Sequence, residues 1–333
     1  MTDTPLHSPT PAGSDLGAGL SLATPGDYFA LMKPRVMSLV VFTAFVGMVV
    51  GSSLSGARIG VASAALSLLC IALGAGASGA LNMWWDADID ARMTRTRQRP
   101  TARGVLSPRA ALGFGTVVAV VSVYLLYVAS NVTAAFWLLF TILFYVVVYS
   151  MWLKRRTPQN IVFGGLPGAL PPLVGWAAVT GSAPLEAWVL VAVIFAWTPP
   201  HFWALALYKV GDYAKVGVPM LPNVAGAKAT RGQIWVYALV LFAVGLLPVA
   251  TGMLAYPWLS GPSLAVLGAL FVWKAWGVYR SRAGESRDML DEASLYAAVA
   301  GDRAARDLFL YSLVYLFAVF VVLLADAIAR MML

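Results

Sequence analysis

The sequence predicts an all-α fold: a polytopic membrane helix bundle of about nine transmembrane helices, set out as two four-helix pseudo-repeats plus a C-terminal helix. Three observations predict it. Only 11% of the residues are charged and 60% are hydrophobic, whereas soluble domains carry roughly 25% charge. A chain so poor in charge has lipid as its main solvent. Apolar stretches of about 18–22 residues without an ionised side chain recur along it, the length that crosses a bilayer core. Those stretches are too long and too uniformly apolar for barrel strands, which alternate by twos.

Hydropathy places the spans at 36–55, 61–82, 110–129, 133–152, 161–180, 187–206, 234–253, 259–279 and 308–328. The joints fall into two classes. Those at 51–60, 129–132, 181–186 and 255–261 are short and nearly uncharged. Those at 86–109, 154–157, 208–231 and 280–306 are basic, and Lys33 and Arg35 precede the first span. Of 23 Lys and Arg, only Arg58 and Arg330 fall on the quiet side. Basic residues mark the cytoplasmic side. The N-terminus and the basic loops are therefore expected in the cytoplasm, with the C-terminus outside, in a bacterial inner membrane. The net charge of +8 then reflects topology and attraction to anionic lipid, and needs no nucleic acid.

Residues 1–26 are rich in Ser, Thr, Pro and Gly and read as a disordered tail, which holds His7. They lack the basic n-region and long apolar core of a secretory signal. Residues 27–333 read as one membrane-embedded domain. Cys70 is the single cysteine, which excludes an intrachain disulfide and a Cys-based metal or Fe–S site.

The first polar motif ends span 2. Asn82, Asp86 and Asp90 are spaced by four, so on a helix they form one drifting stripe. Two carboxylates on one stripe repel unless cations fill the gap. Magnesium suits such a place, because it takes hard oxygen ligands and is usually held by one or two carboxylates plus substrate phosphates. Arg92, Arg95, Arg97, Arg99 and Arg103 follow at once, and arginine matches phosphate oxygens with a two-pronged fork. Acids for metal, then arginines for phosphate, describe a diphosphate site. A helix end followed by a positive-inside loop explains the arginines but not the register of the acids. Asp88 lies off the stripe and is assigned no metal role.

The second motif follows span 6. Lys209 and Asp212 are three apart and can share a helix face. Asp212 is suited to a second metal ion or a metal-bound water, and Lys209 to a leaving diphosphate. Four spans separate the motifs, which puts both on one membrane face and suggests two four-helix halves related by an axis along the membrane normal. Span 5 opens Thr157-Pro158, read as N-cap and first helical residue. It continues through Gly164, Gly165, Pro167, Gly168, Pro171 and Pro172, which should break or kink it. Such a break either lets a bulky ligand approach the backbone or serves small-residue helix packing.

These residues carry a resemblance. Lys33-Pro34-Arg35, Asn82 to Asp90 with its sequel to Arg99-Pro100, Lys154 to Ile161, Thr198-Pro199-Pro200-His201-Phe202, and Asp212-Tyr213 through Pro219-Met220-Leu221-Pro222 make the chain similar to the membrane-embedded, UbiA-type prenyltransferase superfamily of ubiquinone and menaquinone synthesis. Within it, the chain resembles the branch that farnesylates haem. The resemblance implies an enzyme that uses Mg2+ to ionise farnesyl diphosphate and attaches the farnesyl group to a vinyl group of haem B. Water supplies a hydroxyl and diphosphate leaves.

By the superfamily pattern Asn82, Asp86, Asp90 and Asp212 would hold the metal. Asp86, Asp90, Lys209 and Asp212 would carry the chemistry, with Arg95 and Arg99 on the diphosphate. Tyr149, Asn160 and His201 would contact substrate. Trp84, Trp85, Tyr149, Phe202 and Trp203 lie at a depth where ring faces can stabilise a carbocation. His201 is read as either an iron ligand or a hydrogen-bonded helix-end residue. The superfamily pairs two acids four apart in the second motif, whereas the position four after Asp212 is Val216. Either one metal suffices, or waters and Asp88 contribute. Haem A synthase or terminal-oxidase assembly would be further partners. Two other readings of the same features are prenylation of an aromatic quinone precursor such as 4-hydroxybenzoate, and a haem carrier or transporter.

Overall fold

The computed structural model describes residues 23–285 and 302–333; the side chains of Arg35 and Asp212 also lie outside what it describes. Among the described residues, nine helices are long and apolar enough to cross a membrane. They are α1 Val36–Ser55, α2 Val61–Trp85, α3 Pro108–Ala129, α4 Val132–Arg155, α5 Asn160–Thr180, α6 Leu185–Tyr208, α7 Leu221–Ala250, α8 Pro257–Arg280 and α9 Asp302–Met331. No strand occurs among those residues, so the expected all-α bundle is what forms.

Burial orders the helices. In α5 and α6, 78% and 83% of the most apolar window is buried, against 22% in α3 and 28% in α7 and α8. The first pair is therefore the centre and the others face lipid. Helix α1 lies along α5, α2 along α3 and α6 along α7, while α9 closes the bundle against α1, α6 and α8. The α1–α5 approach is backbone to backbone. A Cβ at Gly47 would overlap the Pro172 carbonyl oxygen, and one at Gly175 would overlap that of Ala44. Glycine is required at both positions because nothing larger fits.

The two halves repeat a local device. After α2 comes a six-residue helix, Ala87–Arg92, and after α6 another, Val210–Lys215. Each is separated from its long helix by one residue.

Three expectations are corrected. The tail assigned to 1–26 gives way to a helix at Pro25–Leu31, because Thr24 N–H and Oγ1 donate to Asp27 Oδ2 at 2.9 and 2.8 Å and Pro25 takes the first turn. Residues 1–22 lie outside the described residues. Thr157 does not cap α5. Its Oγ1 accepts from Gln159 N at 3.2 Å in a local turn, and the helix starts at Asn160. Helix α7 starts at Leu221 rather than 234, with a kink at Gly226 (φ 82°); hydropathy sees the apolar run but not the polar helical approach to it. The expected break in α5 is present at Leu170, between Asn160–Ala169 and Pro171–Thr180.

A candidate diphosphate and metal site

The Asn82 stripe is continuous through the end of α2. Asp86 N–H donates to Asn82 O at 2.9 Å, and Asp90 N–H to Asp86 O at 2.8 Å. Helical spacing therefore persists across the joint, and the three side chains stay on one line. All are buried: Asn82 is 4% exposed, Asp86 0% and Asp90 1%. Buried carboxylates require partners, and cations surround these. Lys154 pairs with Asp86, and Arg99 Nη1 lies 2.6 Å from Asp90 Oδ2. Asn82 Nδ2 donates to Asp86 Oδ2 at 2.7 Å and to Ser150 Oγ at 3.1 Å. One acceptor is left over. Asp86 Oδ1 is buried and accepts no hydrogen bond, with Arg155 Nη2 3.6 Å away.

Lys33 and Lys154 were not singled out as site residues from sequence. Lys33 Nζ donates to Asn82 Oδ1 at 2.9 Å. Its backbone is left-handed (φ 53°, ψ 56°), the sole non-glycine residue with positive φ among those described. Pro34 disfavours the right-handed helical region for the residue before it, and the strained turn aims the side chain at the stripe. Burial, then Arg99 and Lys154, hold the Lys33 ammonium down to about 7, while Asp90 and Asp86 pull the other way. The signal available in the sequence was Lys33-Pro34 itself: a cation with a backbone constrained by the following proline.

Arg155 takes a different carboxylate. Its Nη1 and Nη2 donate to Asp88 at 3.0 and 2.8 Å, and Nη2 also donates to Trp85 O at 3.1 Å. Burial works against the Asp88 carboxylate, but the Arg155 fork outweighs it and lowers its pKa. Asp88 is thereby committed to Arg155, off the stripe.

The wall beside the stripe is a π-helix, Phe144–Trp152, which forms the end of α4. This rare geometry often marks functional sites. It brings in Ser150, whose Oγ donates to Tyr145 O at 2.8 Å, and the ring pair Tyr145–Tyr149 at 5.3 Å. Tyr149 is close enough to Asp86, Arg95 and Tyr213 to interact with all three electrostatically. Arg95 also interacts with Tyr208, whose ring lies 5.9 Å from Lys209 Nζ. The two motifs follow α2 and α6, four spans apart, and so stand on one face of the bundle. Asn160 ties the start of α5 to the segment after the second motif: Nδ2 donates to Thr157 O at 2.8 Å and to Pro219 O at 3.4 Å, and Oδ1 is buried without a partner. Gly164 and Gly165 give room to Tyr149 and Thr198, so here small-residue packing accounts for the glycines.

His201 stands apart, on the α6–α9 seam. Its ring is stacked between Trp197 and Phe309, with centroids at 4.2 and 4.7 Å. Nδ1 lies 2.6 Å from Ser312 Oγ, which itself donates to Phe309 O at 2.5 Å. Ser312 thus holds the ring through Nδ1, and Nε2 is the ring nitrogen not engaged by it. Asp212 lies on Val210–Lys215, with its side chain outside the described part.

A family model described as the UbiA prenyltransferase family matches residues 40–291. The chain is 54% identical over 308 residues to "Protoheme IX farnesyltransferase" of Caulobacter vibrioides, covering 91% of each. Among solved structures, digeranylgeranylglyceryl phosphate synthase superposes with a TM-score of 0.71 at 14% identity, covering 91% of this chain and 98% of that one. A UbiA homologue from Archaeoglobus fulgidus bound to GPP and Mg2+ gives 0.60 at 15% identity, covering 89% and 99%. At these identities the two structures speak to the fold alone.

Proposed function

Because the chain belongs to the UbiA prenyltransferase family, we propose that it transfers a farnesyl group from farnesyl diphosphate to a vinyl group of haem B, giving haem O and diphosphate. The observation that carries this reading is the buried Asn82–Asp86–Asp90 stripe, ringed by cations and with one Asp86 oxygen accepting no hydrogen bond. The choice of haem rests on the farnesyltransferase relative, more than half identical across nine-tenths of its length.

The stripe fits magnesium. It offers two carboxylates and an amide, one buried oxygen is unsatisfied, and phosphate oxygens would complete the shell. Asn82, Asp86 and Asp90 would hold the ion, and Asp212 is included on its position alone. When bound, the ion neutralises charge on the departing diphosphate.

The protein's own residues do the rest. Lys154 and Arg99 now face carboxylates and Lys33 the Asn82 amide oxygen; with a charged diphosphate present all three would donate to its oxygens. Arg95 and Lys209, both exposed, would add positive charge from the loops after α2 and α6. Breaking the allylic C–O bond leaves a carbocation, which water would quench; burial excludes water, and the Tyr145 and Tyr149 ring faces stabilise positive charge. The vinyl carbon bonds to the farnesyl C1, and water adds to the carbon that becomes cationic, losing a proton. His201 offers Nε2 to the haem iron, held by Ser312 in the way that metal-binding histidines are commonly oriented. On this reading the active face is the cytoplasmic face of a bacterial inner membrane, and haem O passes to terminal oxidases directly or after conversion to haem A.

The test is mass spectrometry of pigment formed by purified protein from haem B, farnesyl diphosphate and magnesium. The expected product is heavier than haem B by one farnesyl group and one hydroxyl. Unmodified haem beside prenylated 4-hydroxybenzoate would replace this reading with quinone-precursor prenylation, and haem movement without a mass change would replace it with transport.

A further inference from the structure

Lys274 lies inside α8, six residues before Arg280, and so about 9 Å deeper along the axis. An ammonium within an apolar span is costly and calls for a partner. Among the described residues no carboxylate pairs with it. Its Nζ lies 5.8 Å from the Trp273 ring centroid and 5.5 Å from that of Tyr311 on α9. Arg280 rests over Trp276 at 6.0 Å. Asp307, one turn before Tyr311, forms no ion pair with either cation. Trp235, Trp276 and Tyr279 cluster beside them with centroids 5.3–5.6 Å apart, and Trp273 is 66% exposed. Aromatic rings beside cations at a span's end mark headgroup depth.

A second observation lies on the same seam. An apolar groove of about 620 Å³ runs between α8 and α9, lined by Pro262, Val266, Leu267, Phe317 and Val321 among others. Steps of three and four along α8 (263, 267, 270, 274) and α9 (311, 314, 318, 321) put the groove and Lys274 on one face, while Arg280, about 120° round the helix, belongs with Trp276 and Tyr279 beside Trp235 of α7. Tyr311 marks the join, its hydroxyl donating to Leu267 O at 2.9 Å. From Lys274 to Pro262 is twelve residues, about 18 Å, a distance suited to an acyl chain.

We propose that the α8–α9 seam binds an anionic phospholipid, with its phosphate at Lys274 and one acyl chain in the groove. Basic pockets between membrane helices recognise such headgroups. A free phosphate makes no use of the groove, and an acidic peptide finds in it one polar side chain, Ser263, whose hydroxyl donates to Leu259 O. The inference is independent of the reading of the Asn82 stripe.

Native mass spectrometry of the full-length protein in detergent, offered equal amounts of phosphatidylglycerol and phosphatidylcholine, tests it. Wild-type protein is expected to retain phosphatidylglycerol selectively. Lys274→Met should lower that retention about fivefold, and Arg280→Gln alone should lower it less. Ala318→Trp, which fills the groove and spares both cations, should also reduce it; thermal melting checks the fold of each variant. Equal retention of the two lipids by the wild type overturns the proposal. So does wild-type-like retention by folded Lys274→Met, or displacement of phosphatidylglycerol from the seam by farnesyl diphosphate.

Discussion

Asp86 and Lys209 hold the same station in the two halves of the bundle. Asp86 is the single residue between α2 and Ala87–Arg92, and Lys209 the single residue between α6 and Val210–Lys215. Both leave helical torsions, with ψ at 9° and 24°. The backbone repeats while the charge inverts. In this register Asp212 matches Ile89, and Tyr213 matches Asp90. The second half therefore sets a cation where the first sets its most buried acid.

Asp86→Ala should reduce prenyl transfer on the order of a hundredfold or more, the scale of losing a main electrostatic contact in a dry site. It leaves Lys154 and Asn82 without their acceptor. Steady-state turnover by product mass measures this, with size-exclusion behaviour confirming the fold. Transfer at wild-type rates would remove the stripe from the mechanism.

Lys209 is exposed and touches only the Tyr208 ring among the contacts described, so its removal should spare stability. Lys209→Ala is expected to lower kcat/KM for farnesyl diphosphate about tenfold, and Lys209→Arg to recover part of the loss. Kinetics against farnesyl diphosphate concentration, with melting as a control, decides it; equal loss in both variants would deny the charge any role.

Gly164→Ala drives a methyl into the Tyr149 ring. Overpacking of this kind costs about 1–3 kcal/mol, which a lowered melting temperature in detergent should report. Pairing it with Tyr149→Ala should restore most of the stability but not the activity. Failure of that rescue would place the strain elsewhere.

His201→Ala should weaken haem B binding and shift its absorption spectrum, while Ser312→Ala, which frees the ring without removing Nε2, should do so less. Titration of haem B followed in the visible range reads both. An unchanged spectrum and affinity in His201→Ala would assign His201 to packing between Trp197 and Phe309.

Much of this was legible in one dimension. Span existence, the face shared by both motifs and the Asn82–Asp86–Asp90 register all follow from periodicity, because apolar length and four-residue spacing are local properties. Lys33 was hidden because its role depends on a left-handed turn and a partner 49 positions away. Asp326 shows the converse. An acid within a span invites a functional reading, yet it accepts from Ala255 N, Tyr256 N and Ser260 Oγ at 2.6–3.0 Å, capping the start of α8. Only packing distinguishes a cap of this kind from a ligand.

The contact of Gly47 with Pro172 and of Gly175 with Ala44 has one more outcome. Helices that touch main chain to main chain at the centre leave no slack for the halves to rock, as alternating-access carriers do.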